Sequence, residues 1–320
     1  MILCNVIYNL EIKKRMPLLS IIVIFYNMKR EAPRTLYTLS SKYQLGVSDS
    51  DYEVLVIDNG SDEPLGQDFV ESFGPNFHLI RRNATPSPAS AINTVINIAQ
   101  GNLIMICIDG ARMLSPGIIK LTLQAFNAYK NPIVATPAYH LGPKLQNDSI
   151  AEGYCQDVED SLLNSIPWKE NGYSLFSVCV LAGSSRNGWF LPLSESNCLA
   201  LSKNEFLKLN GYSQDFKAAG GGFINLDFYK RACESIDPLI LLLGEGTFHQ
   251  VHGGVATNAP RSSNAALMFH NEYVQIRGKD YTPPINKPIY WGQIPGEAVS
   301  FLHQSTQLLV QYINNPDSIV

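Results

Sequence analysis

The sequence predicts an α/β fold with a mostly parallel central sheet, and two observations carry the prediction. Apolar runs alternate with helix-like stretches through the first third of the chain, and each run ends on a polar or charged group. Strand, helix, strand, helix implies parallel neighbours joined by right-handed crossovers. The carboxyl ends of such strands share one edge of the sheet, where ligands bind.

Four apolar segments set the frame: Ser20 to Tyr26, Tyr52 to Ile57, His78 to Ile80 and Leu103 to Ile108. The first and last are continuous, as strands covered on both faces are. Between them, the stretch from Pro33 to Tyr43 opens with proline, and Ala91, Val95, Ile98 and Ala99 recur at helical spacing within Ala89 to Ala99. The strand ends read Asn27, Asp58-Asn59-Gly60-Ser61, Arg81-Arg82 and Asp109-Gly110. Their joint placement predicts a site. Further on, an acidic helical stretch covers Ala151 to Leu163, Leu239 to Leu243 reads as a strand, and a helix runs from Glu297 to Ile313 with Val299, Leu302, Leu309 and Ile313 as its apolar face.

Composition narrows the function. The 320 residues are 45% hydrophobic, enough to bury a core without staples. The net charge of −4 offers no general attraction to nucleic acid or an anionic membrane. The six cysteines are scattered without a CxxC pair, which fits a reducing cytoplasm. Met1 to Met16 places its basic cluster after the apolar part and makes a poor signal peptide, and no window is long and apolar enough to span a membrane. The turn after the first strand, Tyr26-Asn27-Met28-Lys29, has no glycine, so neither a dinucleotide fingerprint nor a Walker loop is present. A nucleotide must be held by side chains, and a dehydrogenase is disfavoured.

These motifs resemble the family 2 glycosyltransferases and their GT-A relatives over about Leu18 to His252. SIIVIFYN is similar to the family's first strand, and VIDNGSDE to its VDDGSTD element. LIMICIDGARMLSPG resembles the strand leading into its DXD motif, and NCLALSKNEFLKLNGYSQDF its acceptor-side element. AGGGFINLDFYKRA resembles the helix of the catalytic acid, and GEGTFHQVHGG a late strand with a metal-binding histidine. The resemblance implies a GT-A α/β domain that moves a sugar from a nucleotide-diphospho-sugar, UDP-linked by expectation, to a glycan or lipid-linked acceptor. It implies donor contacts from Tyr26, Asn27, Asp58, Asn59, Arg82, Asn93, Asp109 and Gly110. A divalent cation, Mn or Mg, is expected on Asp109 with His249 or His252, and a base at Asp227 or its rival Glu195. The implied division is an extension over 1–16, a nucleotide-sugar half over 17–138, an acceptor half over 139–255 and an extension with a helix over 256–320; no membrane span is expected, and peripheral membrane association or a homodimer stays open.

The chemistry explains the residue types. A carboxylate selects base or ribose, a cation held by carboxylate and imidazole neutralises the departing diphosphate, and a second carboxylate deprotonates the acceptor hydroxyl. The departures are equally definite. Ala111 stands where the second acid of DXD belongs, so a two-carboxylate clamp cannot form. Ile224-Asn225 replaces the Glu-Asp pair before the catalytic helix, leaving Asp227 as base or as an orienting group, and Ser213-Gln214 replaces the acidic pair of the acceptor element. Arg112 is placed to supply positive charge, and Trp189 and Phe190 to stack on a sugar or to fill the core. The rival reading is a degenerate relative that binds a nucleotide sugar or glycan without turnover.

Overall fold

The computed structural model describes residues 18–254, 257–258 and 264–316. The predicted extension over 1–16 lies outside them. Twelve strands are present among the described residues: β1 (Leu19–Phe25), β2 (Tyr52–Asp58), β3 (Phe77–Arg81), β4 (Leu103–Cys107), β5 (Arg112–Leu114), β6 (Ile133–Ala135), β7 (Ala138–Leu141), β8 (Cys179–Leu181), β9 (Cys198–Ser202), β10 (Leu239–Leu243), β11 (Thr247–His249) and β12 (Ile289–Gly292). The helices are α1 (Ala32–Leu39), α2 (Gln67–Glu71), α3 (Ala89–Ile98), α4 (Ile118–Ala128), α5 (Gln146–Ala151), α6 (Gln156–Asn164), α7 (Lys203–Lys208), α8 (Ile224–Ser235), α9 (Ala265–Arg277) and α10 (Val299–Asn314).

Eight strands form the main sheet in the order β12-β10-β6-β9-β4-β1-β2-β3, all parallel except β9, which runs antiparallel between β4 and β6. Every residue of β1 is buried because both faces are covered. Its side chains alternate accordingly: Ile22 and Ile24 join the core under α3 and α8, while Ile21, Val23 and Phe25 join the core under α1 and α4. Each such aliphatic side chain contributes about 1.5–3 kcal/mol of burial. A second sheet, β5-β11-β7-β8, sits beyond the carboxyl end of β4, and its register sets His249 opposite both Arg112 and His140.

The predicted strands of the first third fall where the apolar runs lie. Three expectations change. The first helix ends at Leu39, because the chain turns extended at Ser40. The acidic stretch is helical only from Gln156, as α6, after a turn at Gly153 (φ 96°) that parts it from α5. The last helix buries Phe301 and Ser305, not Val299 and Ile313, which are 37% and 66% exposed; Phe301 packs on the rings of Tyr139 and Phe176. No described helix is long and apolar enough to cross a membrane.

Candidate active site

The carboxyl edge of the parallel strands is tied together by its own polar groups. Asn27, at φ 53° after β1, donates its amide to Asp62 (2.9 Å) and accepts from the Asp62 N–H (2.8 Å). Asp58 ends β2 and is 1% exposed; its two carboxylate oxygens accept the N–H groups of Ser61 (2.9 Å) and Leu65 (2.8 Å). These two bonds shape the loop that follows β2. Asn59 is likewise engaged, donating to the Thr85 carbonyl (3.0 Å). Asn93 spends its amide on both backbone groups of Tyr212 and so clamps the turn at Gly211. Tyr26 and Arg82 stand exposed on this edge. Gly110 allows its backbone to lie against β1, since a Cβ there would meet the Phe25 ring at 2.4 Å.

Two residues past β4, Asp109 meets the late histidines. Its Oδ2 lies 2.9 Å from His249 Nε2 and 3.3 Å from Arg112 Nε, and its Oδ1 lies 4.0 Å from His252 Nε2. Burial opposes the Asp109 charge, but His249, His252 and Arg112 outweigh it and hold the carboxyl well below its usual range. Burial pushes His249 down to about 4, so its imidazole is neutral at pH 7. Gln146 fixes the tautomer. Its Nε2 donates to the His249 carbonyl (2.8 Å), which turns its Oε1 toward His249 Nδ1 and leaves Nδ1 as the protonated nitrogen. Asn258 completes the support: its amide donates to the same Gln146 oxygen (3.1 Å), and its Oδ1 accepts the N–H groups of His252, Gly253 and Gly254, each at 3.0 Å. His249 Nε2 and the ionised Asp109 carboxylate thus face each other at 2.9 Å. That donor set suits a cation. The ligand atoms of Asp109, His249 and His252 lie within 4.8 Å of one another, and donors about 2.1 Å from one ion at right angles sit about 3 Å apart.

Glu195 stands just before β9. Its Oε2 accepts from Asn225 Nδ2 (2.7 Å), and burial raises its pKa above the ordinary value against the opposing pull of Asn225, Arg112 and Asn197. Asn225 is itself held by the Tyr212 hydroxyl (3.2 Å) and donates to the Ser196 carbonyl (3.1 Å). The family's lost acid is here an amide that positions Glu195. Asp227, 2% exposed, accepts from Arg231 Nε (2.9 Å) and from Arg277 Nε and Nη2 (2.6 and 2.8 Å). A carboxylate so enclosed by two guanidiniums is a structural anchor between α8 and α9. Trp189 is also a core residue, fully buried with its indole N–H on the Tyr139 hydroxyl (2.7 Å).

Gln146 and Asn258 escaped sequence reasoning, and Asn225 was read only as a replaced acid, because uncharged amides act across the fold. Asp227 carried one legible warning: Arg231 stands four residues on, the spacing of a helical ion pair.

Residues 20–178 match the family model of glycosyl transferase family 2. Residues 20–178 thus carry a glycosyl transferase family 2 domain, within an α/β fold of GT-A type. Among solved structures it is similar to residues 1–349 of S. aureus TarS, with 11% identity over 92% of this chain and 80% of that one at a TM-score of 0.51, a likeness of fold. Against full-length S. aureus TarS the values are 13% identity and a TM-score of 0.48, covering 94% of this chain and 44% of that one, so the chain spans less than half of that protein. A structure of S. aureus TarS 1–349 in complex with UDP-GlcNAc matches with 12% identity over 93% of this chain and 73% of that one, TM-score 0.48. No curated protein matches the chain significantly.

Proposed function

We propose that the chain transfers a sugar, with inversion, from a UDP-linked donor to a glycan or lipid-linked acceptor, with Glu195 as the base. The observation that carries this reading is the meeting of Asp109, His249 and His252 beside a Glu195 of raised basicity, on the ligand-binding edge of a family 2 domain. Asp109, His249 and His252 would hold the divalent cation, which supplies positive charge to the departing diphosphate. Two imidazoles and one carboxylate favour Mn over Mg, because imidazole is the softer ligand.

Glu195 takes the proton of an acceptor hydroxyl as that oxygen bonds to the anomeric carbon and the bond from carbon to the phosphate oxygen breaks, the electron pair leaving with the diphosphate. Asn225 holds the carboxylate in place without neutralising it. Tyr26 and Arg82, exposed on the same edge, take the direct nucleotide contacts, with Asp58 and Asn59 shaping the loops beneath them. The test is a panel of nucleotide sugars with Mn or Mg, following both transfer and donor hydrolysis.

A second reading, binding without turnover, is favoured by one observation: Asp109 provides the only carboxylate in the metal-ligand cluster found among the described residues. Tight donor binding with neither transfer nor hydrolysis under any metal would select it.

A further inference from the structure

Arg112 is 6% exposed, and its Nε and Nη1 have no hydrogen-bond partner. Among the described residues it forms an ion pair with Asp109, at 3.3 Å and without hydrogen-bond geometry, and it acts on Glu195 at longer range. A buried guanidinium with open N–H groups is costly unless something anionic completes it. Its position is fixed by β5, where it pairs across the ladder with His249, the residue whose Nε2 shares the same Asp109 oxygen. Any ion on Asp109 and His249 is therefore a near neighbour of this cation, and so is any diphosphate drawn to that ion.

The charge count gives this placement its meaning. Relative to a two-acid clamp, Ala111 removes one negative charge and Arg112 adds one positive charge. The difference equals one divalent cation. Asp109 with Arg112 has the net charge that a two-acid site reaches only after its metal is bound.

Resting on the nucleotide-sugar reading above, we infer that Arg112 is a diphosphate-binding residue that gives the site affinity for the donor's diphosphate without metal, the metal adding to this attraction instead of creating it. The guanidinium supplies permanent positive charge and directed donors to phosphate oxygens. It also competes with a cation for Asp109, so metal affinity is lower than its three ligands alone would give.

The test is calorimetric binding of UDP, uridine and inorganic pyrophosphate to the full chain in EDTA, repeated with Mn. Wild type is expected to bind UDP and pyrophosphate in EDTA. Arg112→Met should weaken both at least tenfold and leave uridine unchanged, while raising Mn affinity measured without nucleotide. Arg112→Lys keeps the charge and should hold UDP within about threefold of wild type; a tenfold loss there overturns the charge argument even if the methionine variant fails to fold. Equal UDP affinity in wild type and Arg112→Met, a parallel loss for uridine, or UDP and pyrophosphate binding only with Mn would each overturn the inference. Arg112-dependent pyrophosphate binding without UDP binding would sustain it and sink the uridine-nucleotide reading instead. Binding of none of the three probes, with or without Mn, overturns both.

Discussion

Glu195, half-buried, and Asp227, buried, are told apart by their neighbours. Glu195 meets amides and keeps its basicity, whereas Asp227 meets two arginines. Glu195→Gln is expected to lower kcat by about 100-fold or more with UDP affinity unchanged, as isothermal binding and turnover measured together will show. Asp227→Asn should do the reverse. It leaves Arg231 and Arg277 half-paired and should cost about 3 kcal/mol of stability, read from denaturant midpoints, with turnover per folded molecule near normal. At the metal position, Gln146→Ala frees the His249 ring to rotate and to change tautomer. Mn affinity should then fall about 10–100-fold, by direct titration, although Gln146 itself is no ligand.

Among the elements, α6 has the most consequential attachment. Glu159, fully buried, accepts the Val251 N–H (2.8 Å) and meets Arg30 (3.3 Å), whose neighbour Arg34 pairs with Asp160. This ties α6 and the start of α1 to the strand end just before His252. Glu159→Ala should speed amide exchange in residues 156–164 and 249–254 while the central strands stay protected, and mass spectrometry on deuterated protein resolves the two regions. Such an attachment was not legible in the sequence, where Glu159 is one acid in an amphipathic stretch and its partners stand more than 90 residues away. The strands β1 to β4 were legible because continuous apolar runs require cover on both faces, and the site edge followed from their shared direction. Asp109, His249 and His252 were legible as residue types. Their mutual geometry was not, because it depends on the register of the small sheet, and the two-helix division at Gly153 was missed because one glycine inside a helical pattern does not reveal its sign of φ.

Across the whole molecule, two interior acids make stability depend on pH. Burial pushes Glu159 and Glu245 up to about 7, the first against its arginines and the second against hydrogen bonds from Ser115, Tyr173 and Gly117 at the start of α4. A carboxyl whose folded pKa lies above its unfolded value near 4.5 binds its proton more tightly in the folded state. The contribution is complete below about 4.5 and is lost as pH rises through about 7, up to about 3 kcal/mol for each group. Other carboxylates paired in the fold lose their own contribution in acid, so the check is differential: Glu245→Gln should flatten the decline in melting temperature between pH 5 and 8. The antiparallel β9 has a consequence of another kind, in the order of assembly during synthesis. Until Cys198–Ser202 leaves the ribosome, the paired edge of Leu103–Cys107 has no neighbour on that side, and about 90 residues of nascent chain intervene. The same late insertion brings Glu195 to Asp109. Glu195 and Asp109 therefore come together only once β9 is in place, and a ribosome stalled before residue 198 holds a chain whose β4 edge is still open.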